Sequence, residues 1–354
     1  MDNQINKNLD QITLNDFKIY LKRKGYQPNR PLLLSIDGDN TIVNRNRGSH
    51  YISPAVINMF KKLKYCDTFL VTMNTGRDVT NYSPIEMQTG HKDPNIFLAG
   101  RVIVYNGNLY TNPKAILPLK VRKKIWREFI DGEIPFLDVK SEDGNVFFVQ
   151  EKRGYRAYYG HHRPIDWFNR IPQQLIEIDE YQNIEKVFLD LKIVRIEVPF
   201  LHSIKNTKVI NAINLNNPIQ IKNFVREKLD IDDRTNHLMF IPAPTHKSHG
   251  GMINEIGSIR ILVDGKIVNK GTGLKQLAKY ARIPEENIIY FGDSAGDKAN
   301  DVIVKRILPK ATLMITSNTD REAQDVADFI LDSVENDGVP KAVDILLACT
   351  NVRQ

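Results

Sequence analysis

Two carboxylates stand two residues apart in the run Leu33-Leu34-Ser35-Ile36-Asp37-Gly38-Asp39-Asn40-Thr41, directly after a short apolar stretch. Acids held that close repel one another unless a cation lies between them, and oxygen ligands suit a hard divalent ion such as Mg²⁺. Transfer of a phosphoryl group through an acyl phosphate needs the same pair, one carboxylate as nucleophile and a second as general acid, then base. Standing alone, Asp-x-Asp is more often a solvated acidic turn. A calcium loop of the EF-hand kind is excluded, because Ile42 stands where that loop needs glycine and Gly48 where it needs a bidentate glutamate.

Other residues add to the pair. Thr75, followed by Gly76 after a second apolar run, offers a hydroxyl and a backbone N–H to a phosphate oxygen; Lys270 offers a positive charge. Asp293 and Asp297, in Gly292-Asp293-Ser294-Ala295-Gly296-Asp297, form a second carboxylate pair. Each has a plain structural alternative: an ordinary turn, a surface lysine, a helix cap. In a parallel sheet, however, the carboxyl ends of the strands converge, so these residues in this order would surround one point.

The elements that must position them read as α/β. Pro31 to Ile36 is a buried strand, and Ser53-Pro54 opens a helix with Val56, Ile57, Phe60 and Leu63 at helical spacing. Thr68 to Met73 is a second strand and Arg101 to Tyr105 a third, closed by the turn pair Asn106-Gly107. Strand and helix alternate, which predicts a right-handed parallel sheet. The pattern returns near the end: a helix after Lys270-Gly271, strands over Asn287 to Phe291 and Thr312 to Thr316, and a last helix near Pro340. Residues 31–112 and 257–354 are therefore expected to form one core. Residues 113–256, where strands such as Val146 to Gln150 and Ile193 to Val198 mix with an amphipathic helix over Val121 to Ile130, read as an inserted α/β domain over the sheet's active edge. Residues 1–30 are an N-terminal extension with one helix, Leu14 to Arg23.

Composition narrows the classes. At 354 residues the chain is long enough for two domains, and its 42% hydrophobic and 26% charged residues exclude disordered and fibrous classes. No stretch is long and apolar enough to span a bilayer, and the polar start is not a signal peptide, so a cytoplasmic protein without a membrane partner is expected. Two cysteines, Cys66 and Cys349, make neither a disulfide framework nor a zinc site. The net charge of +7 is scattered, with no basic block or aromatic-interleaved motif, so a nucleic-acid partner is not expected. A mild positive balance suits an enzyme for anionic esters. Nothing in the sequence specifies an oligomeric state.

At this point the chain resembles the haloacid dehalogenase superfamily, whose four motifs are matched in order by Asp37-x-Asp39-x-Thr41, Thr75-Gly76-Arg77, Lys270-Gly271 and Gly292-Asp293-Ser294-x-x-Asp297. Asn106-Gly107 and the run Asn336 to Ala342 are similar to its Cof-type and sugar-phosphatase branch. The resemblance implies a Rossmann-like parallel core with an inserted α/β cap that selects substrate. It further implies Asp37 as nucleophile and Mg²⁺ ligand, Asp39 as acid, then base, with its carbonyl also on the metal, and Asp293 as a further metal ligand. Asp297 would orient Lys270 or a metal-bound water, while Thr75, Gly76 and Lys270 would hold the phosphoryl group. Two positions depart from the pattern: Asn40 replaces the commonest glycine, and Gly296 the usual asparagine before Asp297. Neither removes a charged catalytic group.

Within the cap, Glu151, Lys152, Arg156 and Tyr158 belong to a run of alternating polar and aromatic residues that suits a sugar- or phosphate-binding surface, or a strand with a solvated charged face. His161 and His162 are adjacent and would face opposite sides of a strand, which argues against a shared metal ion. Leu262 stands where several sugar phosphatases place an acid. The expected activity is Mg²⁺-dependent hydrolysis of a small phosphorylated metabolite, a sugar phosphate, through an aspartyl phosphate. The alternatives are a phosphomutase of the phosphomannomutase type, a nucleic-acid 3′-phosphatase, or a catalytically silent binding protein of this fold.

Overall fold

A computed structural model of the chain describes residues 8–11, 13–131, 136–141, 144–151, 154–159, 176–177, 184–200, 238–242, 259–264, 268–294, 301–319 and 321–350. The chain divides into two compact units, Met1–Tyr110 with Val268–Gln354, and Thr111–Ile267.

The first unit opens with helix α1 (Leu14–Lys24), started by a capping box between Thr13 and Asp16 and ended by Gly25 at φ +85°. Strand β1 (Leu32–Ile36) is buried at every position, as expected of a parallel strand covered on both faces. Helix α2 (Pro54–Leu63) is capped by the Ser53 hydroxyl, strand β2 (Phe69–Asn74) follows, and Asp78 caps α3 (Val79–Thr89). Then come β3 (Asn95–Phe97), β4 (Val102–Tyr105) and β5 (Asn108–Thr111).

In the second unit, α4 (Leu119–Ile130) and α5 (Ile184–Asp190) accompany β6 (Phe136–Ser141), β7 (Gly144–Glu151), β8 (Gly154–Tyr159), β9 (Ile176–Glu177), β10 (Ile193–Phe200), β11 (Leu238–Pro242) and β12 (Ile259–Asp264). The strands form one sheet in the order β11-β12-β10-β6-β7-β8-β9, antiparallel in every described pairing. Trp126, Phe129, Phe148 and Phe188 pack ring against ring in its core, Trp126 and Phe188 with centroids 5.0 Å apart.

The chain returns to the first unit through α6 (Lys270–Ala281), β13 (Ile288–Gly292), α7 (Val302–Ile307), β14 (Thr312–Thr316), α8 (Arg321–Val326), β15 (Phe329–Leu331) and α9 (Gly338–Thr350). Its sheet has the order β15-β14-β13-β1-β2-β3-β4-β5, parallel from β15 to β3. From β1 the chain moves outward through β2 and β3, and from β13 outward the other way through β14 and β15. The topological switch point therefore falls between β1 and β13, where the carboxyl ends of the two strands open a crevice.

One sequence expectation is corrected. The third parallel strand is β3, not Arg101 to Tyr105, and β4 pairs with β3 antiparallel. Three residues ending at a left-handed turn through Leu98, Ala99 and Gly100 are too short to show a period in the sequence. Asn106 and Gly107, both at positive φ, then join β4 to β5 as a tight turn. Among the described residues no helix is long and apolar enough to cross a membrane.

Candidate active site

Asp37 leaves β1 with its N–H donating to the Phe291 carbonyl of β13 at 2.9 Å, so the nucleophile candidate is tied across the switch point. The chain then curls round Gly38, whose carbonyl accepts the N–H groups of Thr41, Ile42 and Val43. That curl puts Asn40 at φ +57°, which asparagine tolerates better than other side chains and which accounts for the glycine usual in this motif. Asn318 braces the curl by donating its side-chain amide to the Asn40 carbonyl at 3.2 Å.

Lys270 is the first residue of α6, behind a capping box made by Asn269 and Thr272. A lysine at the positive end of a helix is electrostatically misplaced. Here two carboxylates offset that cost: Nζ lies 2.6 Å from Asp37 Oδ1 and 2.7 Å from Asp301 Oδ1, all three side chains being buried. The helix start is held in place by a close backbone approach. A Cβ on Gly273 would lie 2.5 Å from Gly100 Cα, and one on Gly100 2.2 Å from the Asn269 carbonyl oxygen.

Asp301 accepts on its other oxygen from the N–H groups of Asp293 and Ser294, both at 3.2 Å, and from the Ser294 hydroxyl at 2.9 Å. The Tyr290 hydroxyl donates to Oδ1. Asp39 is held at Oδ1 by Arg77 at 2.5 Å and Arg45 at 3.2 Å, and Arg77 also donates to the carbonyls of Ser49 and Asn81. Thr75 departs from expectation in one respect. Its N–H is spent on the Ile96 carbonyl at 2.9 Å, which leaves its hydroxyl, already accepting from the Arg77 N–H at 3.1 Å, and the main chain of Gly76 to meet a ligand.

The electrostatics are unbalanced. Carboxylate oxygens of Asp37, Asp293 and Asp301 lie within 4.8 Å of one another, and with all three ionised the Lys270 ammonium would leave two negative charges uncompensated. Burial, outweighing the attraction of Lys270, pushes Asp37 well above the ordinary carboxylate range, with Asp301 and Asp293 adding to the rise. Asp293 is pushed up to about 6 by burial and by Asp301. Burial also opposes charge on Asp301, but Lys270 and the donors of Tyr290 and Ser294 outweigh it and hold that carboxyl below its usual range. In the same way Arg77, Arg45 and Lys270 overcome burial at Asp39 and hold it low. An all-oxygen donor set short of two positive charges fits a hard divalent cation.

Asp37, Asp39, Thr75, Gly76, Lys270 and Asp293 all lie at the carboxyl ends of β1, β2 and β13 or at the start of α6. Ion pairs and the acidic cluster join Asp37, Lys270 and Asp293 directly. Asp297 lies outside the described residues, as do Lys152, His161 and His162; Glu151 and Arg156 fall on β7 and β8, Arg156 opposite Val149, and Tyr158 opposite Phe147. Asp301 is the partner that sequence reasoning missed. A signal was present, since the asparagine absent before Asp297 stands as Asn300 before Asp301. The bracing by Asn318 and the hydroxyl of Tyr290 carry no motif at all.

A parallel α/β core with paired aspartates at its switch point and a large inserted α/β unit defines the haloacid dehalogenase fold class. The chain belongs to the haloacid dehalogenase-like hydrolases, whose family model matches residues 34–343. Among solved structures, TM0651 from Thermotoga maritima is similar at 15% identity and a TM-score of 0.60, over 89% of this chain and 97% of that one. BT1666, a phosphatase of this superfamily from Bacteroides thetaiotaomicron, is 18% identical with a TM-score of 0.56, over 91% of this chain and 96% of that one. The subclass IIB sugar phosphatase BT4131 is 14% identical with a TM-score of 0.52, over 89% and 98%. At these identities the likeness is one of fold. Comparison with curated protein sequences finds no significant match.

Proposed function

We propose that the protein is a Mg²⁺-dependent phosphatase for a small phosphate monoester, with a sugar phosphate as its substrate class. The observation that carries the reading is the buried contact of Asp37 with Lys270 at 2.6 Å, beside Asp293 at the switch point. The carboxylates of Asp37 and Asp293 and the main-chain carbonyl of Asp39 would hold the ion. When bound, it supplies the positive charge that the acidic cluster lacks and that a transferring phosphoryl group needs.

Asp37 attacks phosphorus, the bond from phosphorus to the ester oxygen breaks, and Asp39, acting from the minor protonated form that Arg77 and Arg45 disfavour, gives that oxygen its proton. Asp39, now a carboxylate, takes a proton from water as the water oxygen bonds to phosphorus; the bond to Asp37 breaks and inorganic phosphate leaves. Lys270 and the Thr75 hydroxyl stabilise charge on the phosphoryl oxygens. Substrate choice falls to the inserted unit, where Glu151, Lys152, Arg156 and Tyr158 are the proposed contacts.

The test is phosphate release from a panel of phosphorylated sugars with Mg²⁺, comparing wild type with Asp37→Asn. Loss of turnover in the variant is expected. Full Mg²⁺-dependent activity in it would sink the reading, and steady formation of an isomerised sugar phosphate in place of free phosphate would make the protein a mutase.

A further inference from the structure

We propose that Tyr290 is a positioning residue for this chemistry, its hydroxyl fixing the carboxylate of Asp301 that in turn anchors Lys270. The inference rests on the phosphatase reading above. Strand β13 runs Ile288-Ile289-Tyr290-Phe291-Gly292, and all of it is buried. A phenol in such a strand is costlier than phenylalanine of the same shape unless its hydroxyl finds a partner. That partner is Asp301 Oδ1, the same oxygen that takes the Lys270 ammonium.

The other Asp301 oxygen is filled by the Asp293 N–H, the Ser294 N–H and the Ser294 hydroxyl. Five donors on one fully buried carboxylate leave it no room to rotate, and Tyr290 and Lys270 are the two that set the direction of Oδ1. Room for the contact comes from Gly292, where a Cβ would lie 2.8 Å from Asp301 Cγ and 2.9 Å from Tyr290 Cε1. The main chain of Lys270 is fixed separately, because Asn74 donates to its carbonyl at 3.2 Å and to the Ser35 hydroxyl at 3.4 Å. Ser35 is the register partner of Tyr290 in the sheet. Polar groups beneath the crevice thus hold the lysine at its backbone through Asn74 and at its ammonium through Asp301 and Tyr290.

The test is Tyr290→Phe, which removes one oxygen, assayed on p-nitrophenyl phosphate with Mg²⁺ and normalised to folded protein by circular dichroism. Loss of a hydrogen bond to a charged group predicts kcat lower by about tenfold or more, with KM unchanged. In the Asp301→Ala background, which lacks the accepting oxygen, the same substitution should cost nothing further. An unchanged kcat per folded molecule, with only a lower Tm, would reduce Tyr290 to packing and overturn the proposal. A further tenfold loss on top of Asp301→Ala would overturn its action through Asp301. A wild type that releases no phosphate from any ester overturns the phosphatase reading, and this proposal with it.

Discussion

Asp301 and Lys270, 31 positions apart in sequence, meet at 2.7 Å with both side chains buried. Asp301 lies eight residues beyond Asp293, and its carboxylate draws the start of α6, the end of β13 and the turn after it onto one point. The lysine therefore reaches Asp37 as part of a fixed assembly and not as a free side chain.

Replacing Asp301 by Asn should be severe. It removes half of the charge that offsets a buried ammonium, and breaking such a pair costs roughly 3–5 kcal/mol. A lower Tm and a loss of kcat of about 100-fold or more are expected, with Asp297→Asn far milder in side-by-side assays. The reverse order of the two variants would return the anchoring role to Asp297.

Arg77 and Arg45 both sit on Asp39 Oδ1, but Arg77 is nearly buried and bonded to two carbonyls, whereas the Arg45 side chain is 57% exposed. Both favour the carboxylate, so removing either raises the Asp39 pKa. The alkaline limb of kcat/KM, where the protonated Asp39 needed by the first step is lost, should move to higher pH in Arg77→Ala and move less in Arg45→Ala, because solvent screens the exposed pair. Identical pH profiles for wild type and Arg77→Ala would refute the link.

Metal-free protein should respond to pH through Asp293. A carboxyl pushed up to about 6 in the folded state is protonated there while its unfolded counterpart is still ionised. Its share of stability is thus present below the unfolded value and lost as pH rises through about 6. Thermal melts without divalent ion should show an Asp293 contribution that falls from about pH 4 to about pH 6 and vanishes in Asp293→Asn. Proton and cation compete for the same oxygens, so divalent-ion affinity measured by calorimetry should weaken as pH drops below about 6. Affinity independent of pH across that range would remove Asp293 from the site.

Gly273→Ala tests the close approach of α6 to the Gly100 turn. The new methyl would meet Gly100 Cα at 2.5 Å, so the helix start must shift. A loss of about 1–3 kcal/mol is expected, together with reduced turnover as Lys270 moves off Asp37. Denaturant melts read the first and kcat the second; a variant as stable and as active as wild type would show that the helix position is not limiting.

Much of this was legible in the sequence because it is local. The apolar run of β1 and the acids that follow it are contiguous, and so are the Ser53-Pro54 helix start and the Asn106-Gly107 turn. Short elements are not legible: β3 has three residues and no period, so the sequence pattern points to β4 as the third parallel strand. Nor is the role of α1, whose Phe17 and Tyr20 pack on Phe329 of the edge strand β15, a contact between opposite ends of the chain.

By itself the sequence determined the α/β class and offered the residues able to carry charge after its apolar runs, because strand, helix and turn signals are written in neighbouring side chains. Only the tertiary structure decided which of those charges meet. That Asp301 holds Lys270, that Tyr290 holds Asp301 and that the Thr75 N–H is already spent on Ile96 follow from sheet order and burial. Distance along the chain says nothing of distance across a sheet, and hydrogen-bond partners are fixed only once both ends are folded.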